Sequence, residues 1–110
     1  MSEERDPHKA VDYIIANAKK FAKAKSERVY LEEYRKSLKA LLMKRSLEDT
    51  IGAQEREAYA HAEYQQLLQG LKAAVETEEK LRWDLIAAQA RVEIWRSQEA
   101  TARAEGRATV

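Results

Sequence analysis

The sequence predicts an all-α protein, an extended antiparallel helical hairpin with coiled-coil packing, and three observations support this fold class. The 110 residues include only one Pro and three Gly, so residues that break helices are scarce. Apolar residues recur at three- and four-residue spacing over long stretches, which is typical of a coiled-coil seam. No stretch alternates β-branched and polar residues, so no strand is predicted.

The first helix is predicted over residues 7–45. Asp6 followed by Pro7 is a typical helix start, because Asp caps the free N–H groups and Pro fits the first helical position. Lys44 and Arg45 suit the negative end of the helix dipole. The apolar stripe loses its register near residues 24–29, so a break near Ser26, giving three helices, remains an alternative.

The second helix is predicted over residues 53–104, after a turn at residues 46–52 that contains several capping residues. The alternative is one nearly continuous helix with a kink at Gly52. Gly106 is expected to end the second helix and leave a frayed tail at residues 105–110. The two helices would be about 58 Å and 78 Å long, which suggests an extended hairpin within a single domain spanning residues 1–110.

The second helix carries a regular seam, with residues at alternating spacings of four and three. Ten of its eleven members are apolar or aromatic, and Glu78 is the exception. We expect Glu78 to pair with a Lys or Arg of the first helix or of a second chain, which would fix the register. The seam consists of Ala60, Tyr64, Leu67, Leu71, Ala74, Glu78, Leu81, Leu85, Ala88, Val92 and Trp95.

A second apolar set on the same helix faces nearly opposite the seam, and one antiparallel neighbour cannot cover both sides. It comprises Trp83, Ile86, Ala87, Ala90 and Ile94. In the hairpin, the second helix also extends beyond the start of the first helix and is uncovered there. We therefore expect a homodimer, most simply a four-helix bundle. For Trp83 and Trp95 the spacing favours ordinary core packing, and the alternative is a surface that stacks on a base or contacts a partner. The predicted oligomer interface consists of Trp83, Ile86, Ala90, Val92, Ile94 and Trp95.

The sequence contains no recognisable catalytic or metal-binding motif. There is no Cys, which excludes a disulfide scaffold, a thiol nucleophile and a Cys-ligated metal site. His8 and His61 are far apart and belong to no metal-ligand cluster, and the few Ser residues form no nucleophile motif. The sequence therefore predicts no enzyme activity, no cofactor, no metal and no small-molecule substrate.

The cellular location is predicted from the absence of a membrane span and of a secretory signal. No apolar run approaches the roughly 18 residues of a membrane span, and residues 1–6 lack the apolar core of a secretory signal. We expect a cytoplasmic protein without a membrane partner.

The charge distribution leaves a nucleic-acid partner as an alternative. The net charge is only +1, yet residues 9–45 contain eleven basic and four acidic residues. A basic helix face can bind a phosphate backbone. The alternative is that these residues form the solvated outer faces of a coiled coil and are partly matched by acidic residues of the second helix. The candidate nucleic-acid contacts are Lys19, Lys20, Lys23, Arg35, Lys36 and Lys39.

Two runs resemble small helical proteins of tailed bacteriophages and prophages. They are RVYLEEYRKSLKALLM at residues 28–43 and VEIWRSQEATARAEG at residues 92–106. The resemblance implies a phage protein in the host cytoplasm and no particular functional residues. The leading prediction is a non-enzymatic assembly factor that binds itself or another protein. The alternatives are a nucleic-acid-binding accessory of phage replication or recombination and a structural component of the virion.

Overall fold

The computed structural model describes residues 6–109, and these residues form helices without any strand. The predicted all-α fold is therefore confirmed. The helices are α1 (Pro7–Arg45), α2 (Ile51–Ala60) and α3 (Ala62–Thr109).

The chain divides into two compact units, which we describe separately. The turn unit consists of residues 22–79. The terminal unit consists, within the described range, of residues 6–21 and 80–109. Each unit thus contains one part of α1 and one part of α3.

Both ends of α1 agree with the sequence prediction. The Asp6 side chain accepts a hydrogen bond from the backbone N–H of His8 at 2.9 Å, so Asp6 caps the helix and Pro7 begins it. Lys44 and Arg45 lie in the last turn. The break considered near Ser26 is absent, because α1 continues through this position. The Ser26 hydroxyl donates to the carbonyl of Lys23 at 2.8 Å, within the helix.

The connection after α1 is shorter than the predicted turn at residues 46–52. The Ser46 hydroxyl accepts from the N–H of Glu48 at 3.1 Å and so tightens the loop. Thr50 caps α2, with its hydroxyl accepting from the N–H of Ala53 at 3.1 Å. Gly52 is therefore a helical residue of α2 and not the end of the turn.

The predicted continuous helix over residues 53–104 is wrong, because His61 separates α2 from α3. The backbone of His61 is extended (φ −67°, ψ 141°), and its N–H bonds to the carbonyl of Ala58. Its ring nitrogen Nδ1 accepts from the N–H of Glu63 at 3.1 Å, as an N-cap side chain does. At the other end α3 passes through Gly106 to Thr109, so Gly106 does not end the helix.

The seam of α1 is more regular than its apolar residues suggest. Buried and half-buried residues follow the 3-4 spacing through the whole helix, so the predicted slip of register is wrong. Three polar members, Asn17, Arg28 and Arg35, conceal this continuity in the sequence. By contrast, the apolar residues Val11, Tyr34 and Leu41, which also recur at three- and four-residue spacing with other apolar residues of α1, are exposed. The seam consists of Ala10, Ile14, Asn17, Phe21, Ala24, Arg28, Leu31, Arg35, Leu38 and Leu42.

The seam predicted for the second helical segment is confirmed from Tyr64 to Val92, where every member is buried or half-buried. The two ends of the predicted seam differ from this pattern. Ala60, next to the bend at His61, is exposed, and Trp95 is 40% exposed.

Candidate functional site

The turn unit is an antiparallel helix pair with its own small core. Leu38 and Leu42 of α1 pack with Ala58 of α2 and Tyr64 of α3. Two ion pairs show that the helices run antiparallel. Lys39 of α1 contacts Glu55 at 3.0 Å, whereas Arg28, which lies earlier in α1, pairs with Glu78, which lies later in the chain.

A charged cluster occupies the seam of the same unit. The Arg28 guanidinium donates through Nε and Nη2 to both carboxylate oxygens of Glu78, with Nη2 and Oε1 3.2 Å apart. Nη1 of Arg28 donates to Glu32 at 3.0 Å. The hydrogen bonds with Glu78 and then Glu32 raise the pKa of Arg28 above its ordinary value. The predicted pairing of Glu78 with a basic residue of the first helix is therefore confirmed.

In the described part of the terminal unit, the buried apolar side chains are small, and several large ones are exposed. Its buried apolar residues are Ala10 and Ala88. In contrast, Ile15 is 69% exposed, Trp83 58% and Ile94 57%. A helix pair normally buries its largest apolar side chains, so much of the apolar surface here lacks cover from the described chain.

Exposed apolar residues of α1 and α3 flank an open groove in the terminal unit. The groove has a volume of about 320 Å³, and its lining includes Ala18 of α1 and Ile86 of α3 together with the polar residues Arg82 and Gln89. Ile15 precedes Ala18 by three residues, and Trp83 precedes Ile86 by three, so each pair adjoins on its helix surface. The groove thus links the apolar surfaces of the two helices into one, which we call the apolar side. Its members are Val11, Ile15, Ala18, Trp83, Ile86, Ala90 and Ile94.

A different side of the terminal unit is polar. Tyr13 interacts with Asp84, which lies two residues and about 200° around α3 from Ile86. Burial, followed by the charge and hydrogen bond of Asp84, raises the pKa of Tyr13, while the cations Lys80 and Arg91 act in the opposite direction. The unit therefore has one apolar and one charged side, which is typical of a surface with a specific partner.

The last part of α3 is uncovered on all sides. Val92 is half-buried, and residues 93–108 are all exposed. This segment carries three acidic and three basic residues that alternate along the chain. If two copies of this segment lie side by side in antiparallel orientation, each acidic residue of one copy lies opposite a basic residue of the other. The alternating residues are Glu93, Arg96, Glu99, Arg103, Glu105 and Arg107.

The predicted interface residues mostly belong to this exposed surface. Trp83, Ile86, Ala90, Ile94 and Trp95 are exposed, whereas Val92 is half-buried in the seam. Trp83 also contacts the guanidinium carbon of Arg82, which lies 4.8 Å from the ring centroid. Ordinary core packing, which the spacing favoured for Trp83, does not describe this residue within the described chain, since 58% of it is exposed.

The predicted nucleic-acid contacts separate into different places. Lys19 and Lys20 belong to the terminal unit, and Lys23 belongs to the turn unit. Lys23 is 13 positions before Lys36, about 220° away around the helix. The structure brings only half of the set together, namely Arg35, Lys36 and Lys39.

These three residues line an open groove of about 600 Å³ in the turn unit, together with Tyr59 and Tyr64. The Lys39 ammonium lies 4.8 Å from the centroid of the Tyr59 ring. Hydrogen bonding with Tyr59 and then with Glu55 raises the pKa of Lys39 above its ordinary value. Sequence analysis missed the two tyrosines, although antiparallel pairing alone places residues near 60 opposite Lys39.

Two further features are absent from residues 6–109. No group of three or more His, Cys, Asp or Glu side chains in this range could hold a metal ion. No helix in this range combines the length and the apolar composition needed to cross a bilayer.

Comparison with known proteins adds no family. No family model, curated protein or solved structure matches this chain. The resemblance to phage proteins therefore stays a prediction, and functional arguments depend on the surfaces described above.

Proposed function

We propose that this protein is a non-enzymatic assembly module that forms a homodimer through the apolar side of its terminal unit. The observation that carries the proposal is the exposure of Ile15, Trp83 and Ile94 on that unit. Burying each of these side chains would contribute roughly 1.5–3 kcal/mol. Nothing in the described chain covers them.

A second copy of this chain is the partner favoured by the charge order of residues 93–108. This segment has no net charge and alternates acid with base. An antiparallel copy would therefore place opposite charges beside one another along the whole segment. A strongly acidic or basic partner would find no such match, since the repulsive contacts would equal the attractive ones.

Sedimentation equilibrium with a matched pair of double variants tests the proposal. We expect wild type to be a dimer at micromolar concentration. Replacing Trp83 and Ile94 with Ala should weaken dimerisation more than tenfold while helical circular dichroism remains unchanged. The control replaces Leu47 and Ile51, which are 97% and 73% exposed but belong to the turn unit. It should dimerise like wild type.

Two results would contradict the proposal. One is a folded wild-type monomer at micromolar concentration. The other is equal weakening by the Leu47 and Ile51 control, which would indicate nonspecific hydrophobic association.

A further inference from the structure

The groove between α1 and the α2–α3 bend combines cations with aromatic rings. Arg35 and Lys36 lie on one wall, and Tyr59 and Tyr64 on the other. Its volume of about 600 Å³ falls within the range of ligand sites. The groove lies entirely in the turn unit, so it is distinct from the proposed dimer surface.

Arg35 is the most informative residue in this groove. It occupies a half-buried seam position. Within residues 6–109 its guanidinium forms no hydrogen bond or ion pair with another side chain. Arg28, the preceding Arg of the same seam, is instead held by Glu78 and Glu32. A half-buried guanidinium without a carboxylate is well placed to bind a phosphate, which its planar fork matches.

Beside the phosphate site at Arg35, Tyr59 supplies an aromatic surface. The residue is 40% exposed, and its ring meets the Tyr64 ring edge to face with centroids 5.2 Å apart. The edge contact and the Lys39 ammonium hold the ring in one orientation. A fixed, exposed aromatic ring beside cations is the arrangement on which unpaired bases stack.

From this geometry we infer that the groove binds a short segment of single-stranded nucleic acid, with a phosphate at Arg35 and Lys36 and a base stacked on Tyr59. The joint presence of a ring and a phosphate site favours an unpaired strand over a duplex, whose bases are already stacked. It equally favours nucleic acid over an acidic peptide, because a carboxylate chain would make no use of Tyr59.

Fluorescence anisotropy with a labelled oligothymidine of about ten nucleotides tests the inference at two salt concentrations. Wild type should bind the single strand more tightly at low salt, and more tightly than a duplex of equal length. Replacing Arg35 and Lys36 with Ala should weaken binding at least about tenfold. The matched control replaces Lys23 and Lys25 of the same unit, removes the same charge, and should change binding less than about twofold.

A second pair of variants tests stacking. Tyr59→Leu should weaken binding about tenfold, whereas Tyr59→Phe should retain it because the ring remains. Tyr30→Leu is the control, since Tyr30 is 65% exposed in the same unit and stacks on Tyr34. The Trp83 and Ile94 double variant should bind like wild type, which separates this site from the dimer surface.

Several outcomes would overturn the inference. These are absence of binding at low salt, preference for the duplex, equal loss with the Lys23 and Lys25 control, or equally effective competition by polyglutamate. Retained binding by Tyr59→Leu, when circular dichroism shows a folded protein, would also overturn it.

Discussion

Arg28 and Glu78 are 50 positions apart in the chain and form a two-point ion pair inside the seam of the turn unit. The Glu78 side chain is only 9% exposed, so its charge depends on this partner for solvation. We predict that Arg28→Met lowers the urea midpoint strongly, because it leaves a carboxylate with little water and no guanidinium. The double variant Arg28→Met with Glu78→Leu should recover most of this loss, since an apolar pair suits the seam.

The control for this double-mutant cycle is the surface pair of Lys36 and Glu33, whose side chains are 71% and 68% exposed. Breaking it with Glu33→Ala should leave the midpoint nearly unchanged. If Arg28→Met were equally silent, the ion pair would not contribute to the packing of the seam.

The same ion pair shows where sequence analysis was sufficient and where it was not. The seam of α3 could be predicted because a 3-4 spacing of apolar residues needs no knowledge of the partner. The seam of α1 could not, because Arg28 and Arg35 have the polarity of surface residues. Only a partner far along the chain, such as Glu78, makes a charged residue compatible with a seam.

The bend at His61 and the exposed apolar side illustrate two other limits. No Pro or Gly marks residue 61, and the break depends on a ring nitrogen reaching the N–H of Glu63. Sequence patterns do not encode such a local contact. The α3 part of the apolar side was predicted from residues such as Trp83 and Ile94, and the α1 part was not. What covers these residues depends on a molecule that a single sequence does not contain.

The cap at His61 yields a second prediction. His61→Ala should destabilise the protein by about 1 kcal/mol, because the N–H of Glu63 loses its side-chain acceptor. His61→Asn should retain most of the stability, since its side-chain oxygen can accept the same bond. Urea denaturation followed by circular dichroism provides the measurement. A gain in stability with Ala would mean that an unbroken helix is preferred and that the cap does not hold the bend.

We predict that the phenol of Tyr13 makes the free energy of unfolding depend on pH in the alkaline range. Burial, then Asp84, raises the pKa of its hydroxyl above the ordinary value of 10.0. The folded state therefore favours the neutral phenol. This contribution is fully present below the ordinary pKa and is lost as the pH rises through the raised pKa of the folded state.

The free energies of unfolding of wild type and Tyr13→Phe, measured across this pH range, test the prediction. The advantage of wild type over Tyr13→Phe should shrink as the pH rises, because only wild type must bury or expel a phenolate. Asp84→Asn should move the pKa of Tyr13 down toward its ordinary value, as followed by tyrosinate absorbance. A constant difference between wild type and Tyr13→Phe at all pH values would contradict the prediction.

The register of the α1 seam can be tested with neighbouring leucines. Leu42 is 5% exposed and packs in the core of the turn unit, whereas Leu41 is 49% exposed. Leu42→Ala should therefore cost roughly 2–4 kcal/mol, and Leu41→Ala less than about 1 kcal/mol. Thermal denaturation of the two variants compares them directly. Equal losses would show that both leucines are buried, as a slipped register would require.

Gly70 is a position at which a substitution should stabilise the protein. It lies inside α3, and a Cβ added there would meet no atom of the described chain within 4 Å beyond its chain neighbours and the adjacent backbone of its own helix. Gly70→Ala should stabilise the protein by roughly 0.5–1 kcal/mol, because Ala restricts the unfolded chain and adds no clash to the helix. A higher urea midpoint with an unchanged slope is the expected result. A lower midpoint would mean that the surface at Gly70 is covered in the assembled protein, where even a methyl group interferes. Repeating the measurement in the Trp83 and Ile94 double variant would then show whether dimerisation provides that cover.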